Sequence, residues 1–476
     1  MRLVDSIEPV VMRDYQNAMM AKTDALFDRG VRSVFEVAPP GAGKTNMFCH
    51  RAKKWRRAGR KVLITEHRSH LVEQASQTLT RHDVEHGIIQ GCDSTNPFAS
   101  VQLVSIDSMK TRELPFKPDD IIVDEAHLGK AMRYTRLYDR FPDARRLLES
   151  GSPTRLDGQG FDDVCEHLVV GPTVKDLLTH PDGPFLVPAQ MFDGKNFGDI
   201  DATIGIVADD FNQGQLERYF CRDEVVEDVV QKYLLRAQGR TGTVYGVSKR
   251  HIRILCDAFN QAGVISEFID EGTQKGERRD ILARLARAQT MLVMNCNILT
   301  EGLDEPSIRY VGLAYSSFSF AKYYQSATRG MRPSPGKKDC IVNDHGQNFD
   351  RFGIHVHDEI PWSLHGLGKF RKIPGAAAKC KNCGAFLARD AHICDVCGYK
   401  RIFIAGVETF IPIRTEPLPD PPLVQKYRLL LRWAMSKGKH PTVAYNAIKS
   451  EFGEVETSRE LNRRKLAIIF EEEGIT

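Results

Sequence analysis

The residues whose types and spacing carry the most chemistry are Ala38-Pro39-Pro40-Gly41-Ala42-Gly43-Lys44-Thr45 and, about eighty residues later, Ile121-Ile122-Val123-Asp124-Glu125-Ala126-His127. In the first stretch, Gly41 and Gly43 allow a tight turn that brings backbone N–H groups against phosphate oxygens, and a helix beginning near Lys44 would aim its positive end at them. Lys44 then reaches the β- and γ-phosphates, while the Thr45 hydroxyl is suited to Mg²⁺. In the second stretch, Asp124 is placed to hold Mg²⁺ through water and Glu125 to orient and deprotonate an attacking water, two jobs that phosphoryl transfer keeps separate. Two solvated carboxylates at a strand end would be the bland reading of that pair, but a phosphate loop upstream at this distance argues against it. Together the stretches imply that the chain binds and hydrolyses a nucleoside triphosphate with Mg²⁺.

Such residues have to be held at strand ends. Val34-Phe35-Glu36-Val37 reads as a strand feeding the phosphate loop, and Asp124 and Glu125 close an apolar run, where a parallel strand leaves its sheet. After an irregular connector around residues 181 to 215, Thr241-Gly242-Thr243-Val244-Tyr245-Gly246-Val247 reads as the opening strand of a second α/β unit and Met291-Leu292-Val293-Met294 as another strand.

In motif order, from residue 10 to about 350, the chain resembles superfamily 2 helicases of the DEAD/DEAH-box type. Arg13-Asp14-Tyr15-Gln16 resembles the element that reads adenine, with Tyr15 able to stack on the base and Gln16 to pair with its edge. Leu63-Ile64-Thr65-Glu66-His67-Arg68 and Val101-Gln102-Leu103-Val104-Ser105-Ile106 resemble the strand-end motifs that hold nucleic-acid backbone, which nominates Arg68 and Ser105; a buried strand is the alternative for each. Leu299-Thr300-Glu301-Gly302-Leu303-Asp304 is similar to motif V, so the resemblance implies nucleotide sensing by Gly302 and Asp304 and strand contact by Thr300. Tyr324 to Pro333 is similar to motif VI, whose arginines, here Arg329 and Arg332, act as fingers across the cleft. Two departures stand out: Thr328 where the motif VI glycine is usual, and Ser150-Gly151-Ser152 where motif III has Ser/Thr-Ala-Thr.

Arg155-Leu156-Asp157-Gly158-Gln159-Gly160 with Gly171-Pro172, Asp339-Cys340-Ile341-Val342-Asn343-Asp344-His345, and a following cysteine cluster narrow the resemblance to RadD-type DNA-repair helicases and their phage-encoded relatives. The resemblance implies DNA as the nucleic acid and a single-strand-binding or other repair or replication protein as a partner. The expected fold class is α/β: two RecA-like P-loop domains with parallel sheets, residues 1–185 and 215–360, then a four-cysteine zinc ribbon, residues 375–402, and a small helical module, residues 422–476. RNA as substrate, a double-strand translocase that never separates strands, and an ATP-switched binding protein with weak turnover remain alternatives.

The cluster is Cys380, Cys383, Cys394 and Cys397, two Cys-x2-Cys knuckles each followed by glycine. Four thiolates at that spacing suit a structural Zn²⁺; a rubredoxin-like iron site and two disulfides are the chemical alternatives. The other seven of the eleven cysteines are scattered, as expected of reduced residues. No apolar run approaches the length of a membrane span and no signal-like start is present, so a cytoplasmic protein without membrane contact is expected. Net charge is only +4, but residues 361 to 476 carry about +7 and the remainder about −3, which points to an auxiliary nucleic-acid-binding end. A Pro-rich spacer, Glu416 to Pro422, separates the cysteines from a helical hairpin in which Trp433 and Tyr445 are expected to be core.

Overall fold

In the computed structural model two parallel sheets stand one after the other along the chain. The structure describes residues 10–449 except 68, 92, 107, 111–113, 129–130, 156–157, 208–209, 297–304, 354–359, 367–377, 381, 388–390, 395, 405–406, 413–426, 428–429, 432, 438–442, 444–445 and 448. Arg68, Thr300, Gly302 and Asp304, the Pro-rich spacer, Tyr445 and the last part of the helical module therefore lie outside the described residues.

The first sheet contains β1 (Ser33–Val37), β2 (Val62–Glu66), β3 (Gly87–Gln90), β4 (Asp93–Thr95), β5 (Val101–Ser105), β6 (Asp120–Val123), β7 (Arg145–Ser150) and β8 (His167–Val170), in the order β4-β3-β5-β2-β6-β7-β1-β8. All neighbours are parallel except β3 and β4. Strands β1, β2, β5 and β6 are buried along their whole length, which is why they read as continuous apolar runs rather than alternations. Helices α1 (Asp14–Asp28), α2 (Lys44–Arg57), α3 (Ser69–Arg81), α4 (Ala131–Arg140) and α5 (Val174–Leu178) complete this unit.

The second sheet contains β9 (Ala189–Asp193), then, after the small hairpin β10 (Ile206–Val207) and β11 (Asp210–Phe211), β12 (Gly242–Tyr245), β13 (Ser266–Ile269), β14 (Leu292–Asn295), β15 (Tyr310–Leu313) and β16 (Cys340–Asp344), in the order β13-β14-β12-β15-β16-β9. Its helices are α6 (Ile200–Thr203), α7 (Gln213–Phe220), α8 (Asp223–Arg236), α9 (Lys249–Gln261), α10 (Lys275–Ala286), α11 (Phe320–Ala327) and α12 (Asn348–Phe352). Local signals set their starts: Ser248 accepts from His251 N ahead of α9, and Ser319 accepts from Lys322 N ahead of α11.

The second sheet corrects one expectation. Residues 181 to 215 are not merely a connector, because Ala189–Asp193 pairs in parallel with β16 and forms the sheet edge, well before residue 215. Five residues between Pro188 and Gly194 carry no periodicity that would assign them to a partner some 150 residues away in sequence.

After α12 the chain crosses back to the first unit. Trp362 packs against Phe320 and Tyr324 of α11, with ring centroids 5.9 and 6.0 Å away. Two residues on, Leu364 O accepts from Phe161 N at 2.6 Å and Asp162 N at 3.1 Å. Gly160 is required for this approach: a Cβ there would stand 1.9 Å from Leu364 O. The cysteine cluster is tied to the second unit, with β17 (Ala378–Lys379) and β18 (Phe386–Leu387) forming a two-stranded sheet, Lys379 paired with Asp193 of the edge strand and Phe386 set edge-on to Phe349 at 5.5 Å. A further hairpin, β19 (Tyr399–Ile404) with β20 (Val407–Pro412), follows. Tyr427, Leu430, Leu431, Trp433 and Ala434 are buried in the same cluster as α8 and α9, so Trp433 is core as expected. Among the described residues no helix is long and apolar enough to cross a membrane.

Candidate active site

The phosphate loop leaves β1 and enters α2 at the C-terminal ends of the strands. Gly41 and Gly43 have φ of 91° and 81°, the left-handed region that favours glycine, and Gly43 is the residue from which α2 starts. Lys44 Nζ donates to Ala38 O at 3.2 Å, across the loop. The segment expected to read adenine is fastened to the same loop: Tyr15 Oη and Gln16 Nε2 both donate to Ala42 O at 2.8 Å, and Arg13 N donates to Gln16 Oε1 at 2.9 Å.

Asp124 and Glu125 follow β6. Asp124 accepts the Glu125 N–H at 2.8 Å, and Glu125 has φ of 45°, an unfavourable backbone for a side-chain-bearing residue of the kind that collects at functional sites. Burial, and then the neighbouring Glu125 charge, push Asp124 up to about 7, against the pull of Lys44. Glu125 moves the other way: burial acts to raise it, but Lys44, His127, Arg329 and Arg332 hold it below the ordinary carboxylate value. One carboxylate of the pair is thus kept ionised by converging cations.

The arginines come from the second unit. At the end of α11, Thr328 has φ of −82° and ψ of −5°, and its hydroxyl donates to Tyr324 O at 2.8 Å. The position needs no glycine conformation, so the departure at Thr328 leaves the following 3-10 turn, Thr328–Met331, free to carry Arg329 inward. Arg329 is buried and hydrogen-bonded with the Tyr245 side chain of β12. A cavity of about 280 Å³ is lined together by Arg13, Gly41, Gly43, Lys44, Thr45, Asp124, Glu125, Arg329 and Arg332. Tyr15 and Gln16 stand behind the loop, and Ser105, at the end of β5, is not part of the cavity. A larger, more open cavity of about 420 Å³ beside Phe197 and Tyr219 contains none of the expected residues.

Three residues of the site were quoted within motifs but given no role by the sequence. Gln325 of α11 donates from Nε2 to Glu125 Oε2 at 3.4 Å and lies 2.9 Å from His127 Nε2; His127 Nδ1 lies 2.8 Å from Ser150 Oγ. A chain of contacts thus runs from motif III through the Asp-Glu-Ala-His segment to motif VI. Gly151 fits beside the phosphate loop, with a notional Cβ 3.4 Å from Pro40, so its lack of a side chain leaves clearance there.

A row of buried acids had no sequence signal at all, since each sits inside an apolar strand. Glu36 and Glu149 are paired across β1 and β7, and the registers of Val123 with Leu148 and Thr65 with Val123 carry the row on through Asp124 to Glu66. Arg51 of α2 donates to Glu36 at 2.9 Å, whereas the carboxylate oxygens of Glu66 and Glu149 have no hydrogen-bond partner among the described residues. Burial, and then nearby acids, push Glu66 and Glu149 well above the carboxylate range. For Glu149 the sign follows directly: both states hold the proton below 4.5, and above it the unfolded chain releases the proton that the folded chain keeps, so stability falls as pH rises. Glu149→Gln is expected to flatten that fall in thermal melts across pH. A slope equal to wild type would mean that Glu149 is ionised in the fold.

At the cysteine cluster the four Sγ atoms lie within 4.8 Å of one another, with 3.6 Å between Cys380 and Cys397 and between Cys383 and Cys394. Four Zn–S bonds of about 2.3 Å in a tetrahedron give S–S edges of about 3.8 Å, so the donor set fits the ion. Each knuckle is built alike: Gly384 and Gly398 have φ of 76° and 72°, and their N–H groups donate to Cys380 O and Cys394 O at 2.8 Å.

Comparison with known proteins agrees with the two-unit fold. Residues 9–155 match the family described as type III restriction enzyme, res subunit, and residues 225–334 the helicase conserved C-terminal domain. The chain is 26% identical over 369 residues to a 51.5 kDa protein of a Lactococcus phage (isolate 7-9), covering 76% of this chain and 77% of that one. It is also 26% identical over 358 residues to the ATP-dependent helicase IRC3 of Saccharomyces cerevisiae, covering 70% of this chain but only 51% of the yeast protein. Among solved structures, an HsdR-subunit fragment of a type I restriction enzyme from Vibrio vulnificus YJ016 shares the fold at a TM-score of 0.55 and 16% identity, over 73% of this chain and 67% of that one. The ATP-dependent type ISP restriction-modification enzyme LlaBIII, bound to DNA, does so at 0.50 and 13%, over 70% and 28%. Both family matches fall in chain order on the two units that share the nucleotide cavity, and the chain belongs to the superfamily 2 helicases.

Proposed function

We propose that the chain is an ATP-driven motor that moves along DNA by opening and closing the cleft between its two RecA-like units, in the manner of RadD-type repair, recombination or replication helicases. The observation that carries the reading is the shared cavity: Lys44, Asp124 and Glu125 come from one unit and Arg329 and Arg332 from the other. Hydrolysis that needs both walls couples phosphate chemistry to their separation. Lys44 holds the β- and γ-phosphates, Glu125 orients and deprotonates water, and the arginines neutralise charge on the γ-phosphoryl oxygens. Thr45 and Asp124 would hold Mg²⁺, which when bound supplies charge neutralisation between those phosphates. DNA is supported by the fold shared with LlaBIII bound to DNA and by the basic excess after residue 361.

The test is ATP turnover of the full chain without nucleic acid and with single-stranded DNA, duplex DNA or RNA, beside strand-displacement and triplex-displacement assays. Stimulation by DNA with displacement of a strand supports the helicase reading; triplex displacement without unwinding makes the chain a double-strand translocase. Turnover that ignores every nucleic acid would remove the motor.

Cys380, Cys383, Cys394 and Cys397 would hold a structural zinc that fixes the module against the edge strand β9. Freshly purified, reduced protein is expected to carry a single zinc ion. Cys380→Ser is expected to raise hydrogen exchange in β17, β18 and β9 while ATP binding persists. Elemental analysis without metal would remove the ribbon reading.

A further inference from the structure

The loop behind the two arginines is pinned by one lysine. Lys337 lies between the motif VI turn and β16 and is only 8% exposed. Its Nζ donates to Ile308 O at 2.6 Å, Arg332 O at 2.7 Å and Pro306 O at 3.1 Å. An ammonium has three N–H donors, and all three are used on main-chain carbonyls. Pro306 and Arg332 line the nucleotide cavity, while Ile308 leads into β15. The turn itself is tight: Lys337 N donates to Ser334 O at 3.0 Å, and Gly336 has φ of 71°. Burying a charge is costly unless it is fully hydrogen-bonded, and an apolar residue could fill the same space but bind none of the carbonyls. This single group joins the segment that follows residue 304 to the backbone of Arg332.

We propose that Lys337 is a positioning residue for ATP hydrolysis, fixing the main chain of Pro306 and Arg332 so that the Arg332 guanidinium is held ready at the γ-phosphate. The inference rests on the reading of Arg332 as a finger. The surroundings add a pH signature. Burial pulls Lys337 from 10.5 down to about 8; a Cys340 thiolate would oppose the pull, Arg309 and Arg332 add to it, and Glu305 opposes it. Burial pushes the Cys340 thiol up to about 12, so that neighbour stays neutral over the range in question. Once the ammonium loses a proton, three carbonyls face two N–H groups, and the support of Arg332 weakens as pH rises.

The experiment compares full-length wild type, Lys337→Met, Lys337→Arg, Arg332→Ala and the double variant Lys337→Met/Arg332→Ala, measuring kcat and KM for ATP from neutral pH to above the lysine's pKa. Arg332→Ala tests the finger by itself. Lys337→Met is expected to lower kcat about 10- to 100-fold, the effect of a small misplacement of a catalytic group, with KM little changed. The double variant is expected to be no slower than Arg332→Ala. Lys337→Arg keeps a cation that does not titrate in this range, so its rate is expected to hold near the wild-type neutral value and to lack the wild-type decline at high pH. Impaired Arg332→Ala beside a normal Lys337→Met, or identical pH profiles for wild type and Lys337→Arg, overturns the positioning role while leaving the finger in place. Normal turnover by Arg332→Ala overturns the finger reading and this inference with it. If Lys337→Met does not fold, the Lys337→Arg pH profile decides.

Discussion

Glu125→Gln is expected to bind ATP and to hydrolyse it about 10² to 10⁴ times more slowly than wild type, the range spanned by loss of a positioned general base. The amide keeps the shape of the carboxylate and the contact with Gln325 but cannot take a proton from water. The environment supports the role, because Lys44, His127, Arg329 and Arg332 hold Glu125 ionised in a site where burial alone would neutralise it. The positive φ of Glu125 adds that the backbone is held in an unfavourable conformation to aim this side chain. Single-turnover hydrolysis beside equilibrium binding of a fluorescent ATP analogue separates the two effects. Retention of wild-type turnover by a folded Glu125→Gln protein would sink the assignment.

Arg329→Ala and Arg332→Ala are each expected to cost about 10³ to 10⁵ in hydrolysis, with much less effect on nucleotide affinity, because a finger acts on charge that develops only in the transition state. The two differ in what else they disturb. Arg329 is buried beside Tyr245 and contributes to the charge at Glu125, so Arg329→Lys is the companion variant that keeps the charge and much of the volume. Arg332 is less buried, and its removal tests the finger more directly. Normal turnover in both alanine variants would leave the arginines as salt-bridging residues and place the finger elsewhere. Chains that bind nucleotide normally but fail to turn it over are the expected outcome.

The same cleft explains why the tail of the protein is not a detachable appendage. Trp362 lies against α11, which carries Gln325, while Leu364 accepts two hydrogen bonds from the first unit. A deletion beginning at residue 361 would therefore remove an inter-unit contact together with the basic excess. Nearly all of that excess, about +6, lies in residues 361–402, so a cleaner test neutralises basic residues of the cysteine module, such as Lys400 and Arg401, by substitution and reads the salt dependence with the cleft undisturbed.

Residues that do local work are legible from the amino-acid order. A phosphate loop needs glycine at left-handed positions and a lysine and hydroxyl at the helix start, all within eight residues, so Gly41, Gly43, Lys44 and Thr45 follow from spacing alone. The same holds for Asp124 and Glu125 at the end of an apolar run and for the two cysteine knuckles, whose glycine turns repeat one another. Whatever depends on strand order and register emerges only in the folded chain. Ala189–Asp193 became the edge of the second sheet because β16 offered it an unpaired ladder, and nothing in five residues encodes that partner. Glu36, Glu66 and Glu149 look like interruptions of separate strands until the register lines them up with Asp124. Gln325 meets His127 and Glu125, and Lys337 meets Pro306 and Ile308, across separations in sequence that only packing closes. The physical reason is range: backbone conformation and metal-knuckle geometry are fixed by adjacent residues, whereas burial, charge balance and long-range hydrogen bonds are properties of which surfaces the folded chain brings together.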